Sequence, residues 1–134
     1  MKRIIFYLYF YLAILCRLIK PSLYKRFIVK AYKCVGVRFS GDPEYIDNHA
    51  HLDSTGGLTL GAGVVISTRV IILSHDWSFL KKMRAKGEVY DESMFLLAHK
   101  PVYIGEETFI GAGSVILPGT KIGKYCIVGA GAVV

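Results

Sequence analysis

Residues 102–134 read VYIGEETFIGAGSVILPGTKIGKYCIVGAGAVV, with an aliphatic side chain at every sixth position: Ile104, Ile110, Ile116, Ile122, Val128 and Val134. Gly105, Gly111, Gly123 and Gly129 follow these positions, and Leu117 alone breaks the pairing before the last of them. A period of six excludes an α-helix, because successive aliphatics would fall about 120° apart around its axis. It fits a repeating strand and corner. The aliphatic side chain points inward, and glycine lets the backbone turn or approach a neighbour where a Cβ would clash. Three such hexads close one triangular coil of about eighteen residues, and stacked coils pair their strands in parallel about 4.8 Å apart.

The same frame extends upstream through Leu60, Ile66 and Ile72, and more loosely through Ile46 and Leu52. A slip of two residues separates Leu52 from Leu60, and Ser54-Thr55-Gly56-Gly57 supplies turn chemistry there, so a corner bulges while the stack continues. Residues 76–100 lack the period and carry Lys81, Lys82, Arg84, Lys86, Glu88, Asp91 and Glu92, which marks an excursion from the coil. Val134 falls on a core position with no polar cap after it, which predicts a longer form with at least one more strand and a cap.

The formal net charge is +7, but Lys2, Arg3, Arg17, Lys20, Lys25, Arg26, Lys30, Lys33 and Arg38 all precede the first acid, Asp42. Basic character therefore belongs to the N-terminal segment, which is also apolar. That combination suits an anionic membrane surface better than nucleic acid; the alternative is a helix packed on the main domain with a solvated basic side. The uncharged run Ile4–Cys16 is too short for a spanning helix of about 20 residues, and Arg17, Lys20 and Pro21 stand where a signal-cleavage site would be. A retained helix is expected, then a second, amphipathic one over Ser22–Cys34 with Leu23, Tyr24, Phe27, Ile28, Ala31 and Tyr32 opposite Lys25, Arg26, Lys30 and Lys33. Cys16, Cys34 and Cys126 show no CxxC spacing, which argues against a disulfide framework or structural zinc and fits a reducing cytoplasm. The expected organisation is a helical segment over 1–40 and a mainly β, coiled domain over 41–134.

The 102–134 string and VVISTRVIILSHDWSFL (64–80) resemble bacterial hexapeptide-repeat acetyltransferases, in particular the maltose and galactoside acetyltransferases and related enzymes that O-acetylate surface polysaccharides. RAKGEVY (84–90) is similar to a stretch of the sugar acetyltransferases. The resemblance implies a left-handed parallel β-helix, a homotrimer with sites between subunits, and acetyl-CoA lying along the coils. It implies His75 in IILSHDWS as the general base. Imidazole is the side chain whose charge changes nearest neutral pH, so it can take the proton of a sugar hydroxyl attacking a thioester and return it to the thiolate. Asp76 is the adjacent carboxylate that would orient the ring, although neighbouring strand residues point to opposite faces and a backbone carbonyl would also serve. The same likeness assigns Gly111-Ala112 and Gly129-Ala130 to the coenzyme, and Asn48, with Asp47 as substitute, to the acceptor. Phe109 stands where relatives often carry Trp.

His49 and His51 share one strand face and, with His75, raise the alternative of a zinc site as in the carbonic anhydrases of this fold; the leading reading requires no metal. That reading is an acetyl-CoA-dependent O-acetyltransferase acting on a precursor of capsule, O-antigen or exopolysaccharide, in the cytoplasm or at the inner membrane face, without nucleic acid as a partner. A soluble detoxifying acetyltransferase for free sugars and a non-catalytic β-helix scaffold are the competing expectations.

Overall fold

Each hexad ends in a strand of two or three residues whose aliphatic side chain turns inward, and three such strands form one turn of a prism. In the computed structural model, which describes residues 1–87 and 98–134, with Phe79 by its backbone only, eleven strands form the three sides. The first side stacks β1 (Arg38–Phe39), β4 (Leu58–Leu60), β7 (Val102–Ile104) and β10 (Lys121–Ile122). The second stacks β2 (Tyr45–Ile46), β5 (Val65–Ile66), β8 (Phe109–Ile110) and β11 (Ile127–Val128). The third stacks β3 (His51–Leu52), β6 (Ile71–Ile72) and β9 (Val115–Ile116). Every pairing is parallel.

The inward column is continuous: Leu60 and Ile104, Ile46, Ile66 and Ile110, and Leu52, Ile72 and Ile116 are all buried. No single coil encloses its own apolar face, so stability comes from stacking. Corners supply the turns. Arg69, Gly113 and Gly131 occupy one corner in successive coils, all with positive φ (55°, 68° and 71°). Gly61 is required by close approach, because a Cβ there would lie 2.4 Å from the Glu106 backbone nitrogen. The slip read from the sequence is a longer first coil: Leu52 pairs with Ile72, whereas Ile110 pairs with Val128.

Two helices, α1 (Lys2–Ile19) and α2 (Pro21–Cys34), precede the coil, and Lys20 joins them in an extended conformation. Pro21 sits at the start of α2, where its missing N–H costs no helical bond. Tyr24, Ile28, Val29, Ala31 and Tyr32 of α2 are buried, and most of them join the same apolar cluster as the coil. Two phenols fasten the roof: Tyr24 Oη donates to the Ile46 carbonyl at 2.6 Å and Tyr32 Oη to the Ala50 carbonyl at 3.0 Å. Burial, with Asp47 adding to it, pushes the Tyr32 phenol up to about 12.

β1 already pairs with β4, so the coil begins at Arg38, inside the stretch read as helical segment. Helices of 18, 14 and 8 residues outweigh strands of two or three, so "mainly β" describes the coil and not the whole described chain. The third helix, α3 (Ser78–Ala85), opens the excursion. Glu88, Asp91 and Glu92 and the end of RAKGEVY lie outside the described residues.

Candidate active site

The third side ends at Ile72, and the chain then leaves the prism through Leu73, Ser74 and His75. Ser74 is fully buried, and one coil earlier Asp53 lies beneath it. Asp53 Oδ2 accepts hydrogen bonds from Ser74 N and Ser74 Oγ, each 2.8 Å, and lies 2.6 Å from His75 Nδ1. Its Oδ1 accepts from Thr55 N at 2.9 Å and Thr55 Oγ1 at 2.6 Å. Burial alone would raise the Asp53 pKa, but the bonds from Thr55 and Ser74 outweigh it and hold the carboxyl well below the usual carboxylate range. A charged acceptor at Nδ1 makes that nitrogen the donor in the neutral ring, which leaves Nε2 as the basic atom.

The ring is one-third exposed (33%). Both ends of the excursion grip it: His75 bridges His99, Asp76 N donates to the Ala98 carbonyl at 2.8 Å, and Lys100 N donates to the Ser74 carbonyl at 2.9 Å. Trp77 meets the imidazole edge-on, with centroids 6.3 Å apart. An open cleft of about 340 Å³ lies beside it, lined by Leu73, His75, Asp76, Lys100, Leu117 and Pro118.

Asp76 shares that cleft but does not orient His75. Its Oδ1 accepts from Ser78 N at 2.8 Å and its Oδ2 from Ser78 Oγ at 3.0 Å, at the start of α3. These bonds lower its pKa. The carboxylate at His75 Nδ1 is that of Asp53, brought from the preceding coil, while Asp76 turns to Ser78.

The corner between the second and third sides holds the other predicted residues. Asp47 is buried and occupied within the chain: Tyr45 Oη donates to its Oδ2 at 2.8 Å, His49 N to its Oδ1 at 2.9 Å, and the Arg17 guanidinium lies 3.7 Å away. Burial acts to raise its pKa, and the bonds from His49, Tyr45 and Thr68 bring it below the ordinary value. Asn48 Oδ1 accepts a short hydrogen bond from Arg17 of α1. Asp47 is therefore not an open group for an acceptor. Gly111 and Gly129 stack at this corner in successive coils; a Cβ on Gly111 would lie 2.5 Å from the Ala130 nitrogen, so stacking itself demands that glycine, while Gly129 faces open space. A cleft of about 440 Å³ runs along the corner past His49, Thr68, Arg69, Ala112 and Gly113. Within one chain, this corner and the His75 corner are different edges of the prism.

Residues 101–134 match the bacterial transferase hexapeptide family, described by six repeats. Over 100 residues, 74% of this chain, it is 31% identical to the putative lipopolysaccharide biosynthesis O-acetyl transferase WbbJ of Escherichia coli K12 and covers 51% of that protein. Residues 101–134 thus carry the repeat of the bacterial transferase hexapeptide family, and the chain is similar to O-acetyltransferases. It is also 36% identical to the galactoside O-acetyltransferase of Lactococcus lactis over 74 residues, 55% of this chain and 29% of that protein. The chain thus spans about half or less of the length of these curated relatives. No solved structure matches it significantly.

His49 and His75 stand at different corners, and among the described residues no three His, Cys, Asp or Glu side chains converge as metal ligands. The geometry gives the zinc reading no support. Phe109 points outward from β8 on the second side, away from the His75 corner of its own chain. Asp53 escaped the sequence reading, although a signal existed: the two-residue slip lengthens the first coil to place Asp53 against residues 73 and 74.

Proposed function

We propose that this chain is the catalytic portion of an acetyl-CoA-dependent O-acetyltransferase that acts on a saccharide hydroxyl. The carrying observation is the contact between His75 Nδ1 and the charged, hydrogen-bonded Asp53, which leaves Nε2 basic beside an open cleft. Nε2 takes the proton of the acceptor hydroxyl as its oxygen attacks the thioester carbonyl. The carbon–sulfur bond then breaks, and the same proton passes to the departing thiolate, giving acetyl ester and free coenzyme A. Holding both reactants in one ternary complex makes a covalent acetyl-enzyme unnecessary.

The coil is left-handed in this reading, and three chains assemble so that the His75 corner of one faces the glycine-rich corner of the next. Exposed apolar side chains support such packing: Ile71 and Val133 on the third side, Phe109 and Ile127 on the second. Gly111-Ala112 and Gly129-Ala130 then line the coenzyme path with backbone groups, and Asn48 lies at its edge. Asp76 and Lys100 flank the imidazole as polar contacts for the acceptor.

The names of the two relatives point to two acceptor classes, lipopolysaccharide and galactoside, so the decisive assay includes both. Thiol release from acetyl-CoA is measured with free galactosides and with glycan fragments, for the natural chain and for His75→Ala. Acceptor-dependent release lost in His75→Ala, with unchanged assembly mass, supports the proposal. Equal release by both forms would remove His75 as the base, and no release with any acceptor would favour a scaffold.

A further inference from the structure

The first helix is apolar on its outward side as well as on the side that packs, unlike an ordinary surface helix. Ala13 of α1 is buried, Phe6 and Phe10 pack against the core, and Arg17 reaches Asn48, which fixes the inward side of the helix. The outward side carries Ile4, Leu8, Tyr11, Leu15 and Leu18, spaced four and three residues apart along one stripe and 60–88% exposed. Met1, Ile5, Tyr7, Leu12 and Ile19 widen the stripe and are also exposed. The stripe contains no charge. Lys2, Arg3 and Lys20 sit off it, at its two ends. A soluble surface helix normally presents polar and charged residues outward, and an apolar patch of this extent marks an interaction site.

We infer that the outward face of α1 docks onto an anionic lipid bilayer, with the helix lying in the plane of the headgroups. Charge decides between this occupant and a second copy of the chain. Residues 1–41 hold nine Lys or Arg and no Asp or Glu, so two copies meeting through α1 would oppose like charge, whereas an anionic surface complements it. Lys25, Arg26, Lys30 and Lys33 line a further cleft on α2 with one acid, Asp42, which extends the cationic character beyond α1. Geometry decides between lying on the membrane and crossing it. No described helix is long and apolar enough to cross, and α1 is tied along its inward side to α2 and the coil. Tyr7 and Tyr11, with an apolar body and a polar tip, suit the headgroup boundary.

The docking does not depend on the acyl-transfer reading; joined to it, docking would bring the His75 corner to acceptors held at a membrane. The test is cosedimentation of the full chain with vesicles of phosphatidylcholine alone or mixed with phosphatidylglycerol. Binding to the mixed vesicles is expected, weakening as salt is raised. Leu8→Glu with Leu15→Glu should lower it by at least about tenfold, since two exposed leucines that the bilayer would cover are replaced by charges. Lys2→Gln with Lys20→Gln, which keeps the apolar stripe, should lower it several-fold and remove much of the salt dependence. Circular dichroism and assembly mass show that the variants remain folded, and His75→Ala should bind like the unmodified chain, which separates this test from that of the chemistry. Equal binding to both vesicle types would overturn the anionic assignment. A smaller assembly in Leu8→Glu with Leu15→Glu, without loss of vesicle binding, would give the stripe to a second copy instead.

Discussion

Two aspartates at coil corners each hold a histidine, and the pairs differ in what they do. Asp47 reaches His49 two residues on, through the backbone N–H and at 3.1 Å through Nδ1, and is further held by Tyr45 and close to Arg17. His49 is 66% exposed, so this pair is a turn that ties the helical roof to the coil. Asp53 reaches a histidine of the next coil, at 2.6 Å, through a carboxylate already charged and filled by Thr55 and Ser74. Proximity along the chain gives the first pair, and stacking gives the second. Both histidines lie beside a cleft, but only the second is held, at the shorter distance, by a carboxylate from another coil.

Substitutions can break or sharpen that contrast. His75→Ala should lower acetyl transfer by about 10²- to 10⁴-fold, the usual worth of a general base, with the fold intact by circular dichroism. Asp53→Asn should cost about 10- to 100-fold in rate, as loss of an orienting partner does, and should shift the pH–rate profile, whereas a merely structural defect would leave its shape unchanged. Because the folded pKa of Asp53 is depressed, its stabilisation is fully present above the ordinary carboxylate range and is lost as pH falls through the lowered value. Acid unfolding of Asp53→Asn should therefore converge with that of the unmodified chain only in strong acid.

Asp47→Asn should act on stability, by about 1–3 kcal/mol in urea unfolding, because Tyr45, Arg17 and His49 lose their charged acceptor; the pH profile of the remaining activity should not move. Tyr32→Phe should cost about 1 kcal/mol. Its sign with pH is opposite to that of Asp53: a phenol raised to about 12 stabilises fully below pH 10.0 and loses that contribution as pH climbs through about 12, a loss absent from Tyr32→Phe. His49→Ala should change stability by less than about 0.5 kcal/mol.

The coil was legible because stacking forces one aliphatic per hexad: Ile104, Ile110, Ile116 and Ile122 follow the sequence period without adjustment. The helices were legible too, although α1 extends to Lys2 and Ile19 because its charged ends continue a helix that its apolar centre begins. Asp53 was not, since a contact between coils depends on coil length, and the residues around Ser54 alter that length locally. The bonds that occupy Asp47 within the chain were not legible either, because nothing in YIDNHAH announces Arg17 arriving from a helix 30 residues earlier. The outward stripe of α1 was hidden as well: a run of 13 uncharged residues does not say which side packs.

The proposed chemistry turns on one atom, Nε2 of His75. A structure of the natural full-length chain with a non-hydrolysable acetyl-CoA analogue would locate it directly. The expected result puts the thioester carbon in the cleft with Lys100 and Leu117, with room for one hydroxyl oxygen at about 3 Å from Nε2. A coenzyme bound with its thioester at any other corner, or a His75 ring turned so that Nε2 meets Asp53, would contradict the account.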